Sequence, residues 1–218
     1  MTPKNTTRLV VLDFDGTIGD TQTLIISTMQ KTIARLHLPA RTPEQCAAMI
    51  GLPLKQTFTN LIEMSDEMGD LCAATYRRIF EEDNVPGMVP VFPHVLDTMR
   101  RLHADGRMLT IASSRSTPSL MGFVKNMQLE TMVSLVMSCD DIVNAKPHPE
   151  MVLKTLERTG CLPEETVVVG DTKYDILMGR RAGCRTVGVG YGNGSKQELE
   201  EAGADHIIDD FVQLLELV

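Results

Sequence analysis

Leu9-Val10-Val11-Leu12-Asp13-Phe14-Asp15-Gly16-Thr17 is the stretch that decides how the chain reads. Its first four residues are apolar, with no polar position alternating among them. That pattern predicts a short strand buried on both faces of a sheet. Two carboxylates, a glycine and a hydroxyl come directly after it. Open parallel sheets bind ligands beyond the carboxyl ends of their strands, so the polar residues stand where a site is expected. Working outward, four further runs resemble the first: Met108-Leu109-Thr110-Ile111-Ala112, Ser134-Leu135-Val136-Met137, Thr166-Val167-Val168-Val169 and Thr186-Val187-Gly188-Val189. A weaker one is His206-Ile207-Ile208. Helix-period stretches at 93–104, 118–127, 149–159 and 175–182 lie between them. Such alternation predicts an α/β fold, a doubly wound, Rossmann-like parallel sheet covered on both faces.

The interval after Asp20 breaks the alternation. It holds only helix-like segments, at 21–38, 43–50, 54–64 and 66–82, punctuated by Pro39, Pro43, Gly51-Leu52-Pro53 and Pro86-Gly87. Residues 20–87 are therefore expected to form an all-helical cap inserted into an α/β core made of 1–19 and 88–218. Hinges are expected at 18–20 and 85–90, and Asp20 reads as the start signal of the first cap helix. The many methionines of this interval, among them Met49, Met64 and Met68, suit adaptable packing.

Composition narrows the function. The 218 residues carry a formal charge of −8, and aromatics are scarce, with six Phe, three Tyr and no Trp. Neither a basic stripe for nucleic acid nor a stacking platform for bases is expected. Five scattered cysteines without a C-x-x-C pair suit a reducing compartment and argue against structural zinc. The polar start and the absence of an apolar run of spanning length lead us to expect a cytoplasmic protein with no membrane partner.

The residues just beyond each strand supply the chemistry. Asp13-Phe14-Asp15 stands after the first, Ser113-Ser114-Arg115 after the second, Asn144-Ala145-Lys146-Pro147 after the third, and Gly170-Asp171-Thr172-Lys173-Tyr174-Asp175 after the fourth. Alternation along a strand points Asp13 and Asp15 the same way and Phe14 into the core. Two such carboxylates are comfortable when a cation lies between them. A hard divalent ion would serve, with Asp171 and Asp175 offering further oxygens. Lys146 adds a fixed positive charge for a phosphate oxygen and Ser113 a hydroxyl donor. Asp13 could then attack phosphorus, while a protonated Asp15 serves the leaving oxygen and afterwards activates water.

These motifs, in this order, resemble the four motifs of the haloacid dehalogenase superfamily across the whole chain. The phosphoglycolate phosphatase branch is the most similar, through Gly51-Leu52-Pro53-Leu54-Lys55 and Tyr191-Gly192-Asn193-Gly194-Ser195 with Ala202-Gly203-Ala204-Asp205. The resemblance implies that Asp13 is the nucleophile and a metal ligand. It implies that Asp15 is the acid/base and lends magnesium its backbone carbonyl. Ser113, Ser114 and Lys146 would bind phosphate, and Asp171 would ligate Mg2+, with Asp175 doing so directly or through water. Lys55 would contact the part of the substrate that sets specificity. The implied activity is hydrolysis of a small phosphorylated metabolite, 2-phosphoglycolate first, by a monomer or homodimer. Pyrophosphatase, sugar-phosphate phosphatase or mutase, and a catalytically silent phosphometabolite-binding protein are the other readings.

Gly190-x-Gly192-x-Gly194 has the wrong spacing for a dinucleotide site, because Ser195 stands where the last glycine belongs. Ser195 with Glu198 reads instead as a capping box. The five histidines show no metal spacing, and His148 is expected to shape a turn. Arg115 is expected at the surface or facing the cap.

Overall fold

The computed structural model describes residues 7–85 and 87–218. The polar start at residues 1–6 and the Pro86 punctuation read from the sequence lie outside the described residues. The first strand, β1 (Leu9–Leu12), is fully buried along its length, as an all-apolar run between two neighbours must be. The sheet has the order β3-β2-β1-β4-β5-β6 and every pairing is parallel. Its other strands are β2 (Met108–Ala112), β3 (Val133–Met137), β4 (Thr166–Gly170), β5 (Arg185–Val189) and β6 (His206–Ile208).

In chain order, the helices are α1 (Gln22–Arg35), α2 (Pro43–Ala47), α3 (Leu54–Leu61), α4 (Asp66–Asp83), α5 (Val95–Ala104), α6 (Thr117–Asn126), α7 (Glu150–Thr159), α8 (Lys173–Arg181) and α9 (Lys196–Glu201). Four of them, α1 to α4, intervene between β1 and α5, as the broken alternation predicts. The strand order reverses direction at β1, so β1 and β4 are adjacent although distant in sequence. The crevice beyond their carboxyl ends is the switch point where such sheets take ligands. Register makes this concrete. Leu12 pairs with Ile111 on one side and Val169 on the other. Asp13, Ser113 and Asp171 therefore emerge on one rim.

Helix α4 buries Cys72, Ala73, Tyr76, Ile79 and Phe80, a stripe at helical spacing. An aromatic chain carries that stripe into the core. Phe58, Tyr76, Phe80, Phe123 and Phe14 succeed one another at centroid distances of 6.1, 5.8, 6.3 and 4.9 Å. The helical segment thus shares one apolar cluster with the sheet's α5/α6 face. Met49, Met64 and Met68 pack at the edge of that cluster, in keeping with an adaptable lining.

Two local expectations need correction. Asp20 does not cap α1. It is exposed, and Thr21 occupies the N-cap position without a side-chain cap bond, because its hydroxyl is drawn to Asp15 instead. The first three helices of the insert are also shorter than their apolar periodicity predicts, α2 ending at Ala47 and α3 at Leu61. The Ser195–Glu198 capping box forms at the start of α9. His148 closes a turn through its N–H to the Ala145 carbonyl, beside a cis Lys146–Pro147 bond. All five cysteines are free thiols. Among the described residues, no helix is long and apolar enough to cross a membrane.

Candidate active site

Asp13 continues β1, and its N–H donates to the Val169 carbonyl, which fixes it at the β1/β4 switch point. Its Oδ1 accepts from Lys146 Nζ at 2.6 Å, and the same ammonium reaches Asp175 Oδ1 at 2.6 Å. All three side chains are almost fully buried. Burial alone would depress the Lys146 ammonium, but Asp13 and Asp175 outweigh it and hold the pKa above its ordinary value. Burial is also the largest influence on Asp13. It raises the carboxyl to about 7 against the pull of Lys146, with Asp175 and Asp15 adding repulsion.

Asp171, Asp175 and Asp13 form a buried acidic group whose oxygens lie within 4.8 Å of one another. Burial and then its two acidic neighbours push Asp171 well above the usual carboxylate range, against hydrogen bonds from Asn193. Its Oδ2 accepts from the Asn193 N–H at 2.7 Å and from Nδ2 at 2.8 Å, whereas Oδ1 is buried without a hydrogen-bond partner. An orphaned buried carboxylate oxygen is costly unless a cation meets it. An all-oxygen donor set with one free buried oxygen fits a hard divalent ion. Asp175 is differently engaged. Oδ1 belongs to Lys146, and Oδ2 accepts from the N–H and hydroxyl of Thr172 at 3.1 and 2.6 Å, in a capping box that starts α8. Capping and acid-cluster roles coexist in one residue.

Asp13 and Asp15 each have a cationic side chain beside them, Lys146 for Asp13 and Arg115 for Asp15. The Arg115 guanidinium forks Asp15, with Nε at 2.8 Å from Oδ2 and Nη2 at 2.7 Å from Oδ1, and the Thr21 hydroxyl donates to Oδ1 at 2.6 Å. Such a fork holds the carboxylate by parallel N–H···O bonds and fixes its plane. The Asp15 side chain also lies outside the buried acidic group. Its backbone carbonyl faces the Asn193 amide at 3.5 Å, on the Asp171 side. Arg115 is cap-facing, as one of the two sequence alternatives has it, but it is not on the surface: its side chain is only 9% exposed.

Ser113 is buried, and its Oγ accepts from the Arg115 N–H. The Ser114 hydroxyl donates to the Gly51 carbonyl at 3.2 Å, so the loop between α2 and α3 rests on the rim. Gly51 has φ +96° and lies against Thr172 and Tyr174. Lys55 borders the same space, but its ammonium is held by Asp66 at 2.7 Å and Asp70 at 3.0 Å, both on α4. Those hydrogen bonds raise its pKa, the reverse of what a Schiff-base lysine needs.

Asp13, Asp15, Lys146 and Asp175 open into a cavity of about 790 Å³ between rim and helices. Ile25, Met29, Met49 and Leu54 give it an apolar wall. Arg77 of α4 also lines it, and among the described residues no carboxylate pairs with Arg77. Arg77, Thr21, Thr172 and Asn193 escaped the sequence reading. For Asn193 a signal existed in its glycines. A Cβ at Gly192 or Gly194 would overlap Asp171, and a Cβ at Gly16 would overlap both Asp171 and Asn193. The Gly-x-Gly pattern marks close approach to Asp171, to its side chain at Gly192 and to its backbone at Gly194.

Fold and site together define a class, and comparison with known proteins agrees with it. Residues 10–189 match the family model of haloacid dehalogenase-like hydrolases. The chain belongs to that family. It is 32% identical over 210 residues to the pyrophosphatase PpaX of Anoxybacillus flavithermus, covering 96% of this chain and 95% of that protein. It is 30% identical over 229 residues to the phosphoglycolate phosphatase of Salmonella typhimurium, covering 95% and 91%. A solved hydrolase of the haloacid dehalogenase-like family from Streptococcus pneumoniae superposes with a TM-score of 0.86 at 21% identity, over 97% of this chain and 98% of that one. At that identity the likeness speaks for the fold alone.

Proposed function

We propose that this phosphatase hydrolyses a small phosphate ester through phosphorylation of Asp13, with 2-phosphoglycolate the first substrate to test. The observation that carries the reading is the buried meeting of Asp13, Lys146, Asp171 and Asp175, of which Asp13, Lys146 and Asp175 line a ligand-sized cavity. An Asp13 oxygen attacks phosphorus, the bond from phosphorus to the leaving oxygen breaks, and Asp15 passes a proton to that oxygen. Water then gives a proton to Asp15 as its oxygen attacks the same phosphorus. The bond to Asp13 breaks, inorganic phosphate departs, and both carboxyl groups regain their starting forms. Lys146, the Ser113 hydroxyl and the Ser114 N–H hold the phosphoryl oxygens.

Asp13 and Asp171, with the Asp15 carbonyl and with Asp175 alongside, would hold Mg2+, which when bound offsets negative charge on the phosphoryl group. The free Asp171 Oδ1 supports this assignment. Residues 20–87 act as a cap over the core of 7–19 and 88–218, and its closure excludes water during the reaction. The leaving group faces the cap. Lys55 stands at this wall, but its ion pairs occupy it, which leaves Arg77 as the cation for an anionic leaving group. A carboxylate or a second phosphate would suit it, so pyrophosphate is the competing substrate.

Phosphate release from 2-phosphoglycolate, pyrophosphate and neutral sugar phosphates, with and without Mg2+, tests the proposal. Mg2+-dependent turnover of at least one is expected. No release from any of them refutes it.

A further inference from the structure

We infer that Arg115 is a positioning residue that receives the carboxylate of Asp15 and couples its orientation to the helical segment through Phe80. The inference rests on Asp15 serving as acid and base. Three donor contacts of 2.7–2.9 Å join the guanidinium to Asp15, and Nη1 donates to Ser119 Oγ at 3.0 Å. The planar fork fixes the plane of the carboxylate, which an ammonium could not do. Two aromatic rings border the guanidinium as well. Cζ lies 4.6 Å from the Phe80 centroid and 4.8 Å from that of Phe123. Phe123 belongs to α6 beside the sheet, whereas Phe80 belongs to α4 in the insert. Arg115 meets both rings only when α4 is docked.

A buried ion pair contributes little net stability, so anchoring alone is a weak reason for a charge at this place. Its chemical use is plainer. When Asp15 gives its proton to a leaving oxygen it becomes the anion that Arg115 is shaped to hold. In that position it next takes a proton from water. Arg115 touches neither the phosphoryl group nor the nucleophile in this scheme; it acts through Asp15.

Leaving groups separate this role from a structural one. An aryloxide leaves unaided, whereas an alkoxide needs the proton, and general acid catalysis is worth roughly 10²–10⁴-fold. For Arg115→Met, kcat/KM on alkyl phosphates such as 2-phosphoglycolate and glycerol phosphate should fall at least about tenfold further than on p-nitrophenyl phosphate. Arg115→Lys should recover only part of the difference. Phe80→Leu, which keeps apolar bulk but removes the ring, should show the same selectivity at smaller size. Equal losses on both ester types, or no loss, would overturn the inference. Should Arg115→Met fail to fold, Phe80→Leu decides alone by the same criterion. Asp15→Asn is the control: a selective alkyl loss there leaves the acid role standing whatever Arg115 does, and its absence removes that role itself.

Discussion

Asp13 and Asp15 are two residues apart at one strand end, yet their surroundings divide them. Asp13 shares Lys146 with Asp175 in a buried site, and Asp15 belongs to Arg115 and Thr21. Replacement tests this division residue by residue. Asp13→Asn should lower turnover by on the order of 10⁴-fold or more, as loss of a nucleophile does in other enzymes. Its melting temperature should hold or rise, because one of three crowded buried carboxylates is removed; steady-state assays and thermal melts check both. Gly16→Ala should cost at least about 1 kcal/mol in urea denaturation, since φ is +82° and the added methyl would strike Asp171. Unchanged stability would contradict the packing of that loop. Asp13 and Asp171 were legible because each comes just after a strand, and Lys146 and Asp175 because they lie in the stretches that follow β3 and β4. Arg115's hold on Asp15 was not, since a bond spanning 100 positions leaves no local pattern.

At the scale of elements, α4 gives the cavity Tyr76, Arg77, Phe80 and Glu81. Phe80 meets Arg115, Tyr76 joins the aromatic chain, and Arg77 lines the space with no ion pair among the described residues. If Arg77 reads an anionic leaving group, Arg77→Gln should raise KM several-fold for 2-phosphoglycolate or pyrophosphate and leave neutral sugar phosphates unchanged, with kcat nearly constant. A uniform change across the panel would contradict that role. Periodicity located the helices of the insert but overran the ends of α1, α2 and α3; after α2, Gly51-Leu52-Pro53 turns onto Ser114 and Thr172. The first helix begins one residue beyond its apparent signal for a related reason: Thr21 is recruited by Asp15 across the rim. Tertiary contacts, absent from any local window, set those boundaries.

For the whole molecule, the sheet order brings β1 beside β4, and so the first and fourth motifs to one place. Alternation of strands and helices made the parallel, doubly covered sheet readable, but not the order of its strands. The assembled acid cluster has a consequence for stability. Burial raises Asp13 to about 7, so without a cation its contribution is present at low pH and lost as pH rises through about 7. Bound Mg2+ prefers the ionised oxygens. The rise in melting temperature caused by Mg2+ should therefore grow between about pH 5 and pH 8, and Asp13→Asn should flatten that dependence. An equal rise at both ends would contradict the assignment of the metal to this cluster.

The most direct test concerns the bond between Asp13 and phosphorus. Asp15→Asn protein, mixed with p-nitrophenyl phosphate and Mg2+ and quenched in acid, should retain a phosphoryl group, since a good leaving group needs no acid while hydrolysis has lost its base. Intact mass and peptide mapping should place one phosphoryl group per chain on the peptide containing Asp13. A phosphoryl group on Ser113, or none under any condition in which the parent enzyme turns over, would contradict the account.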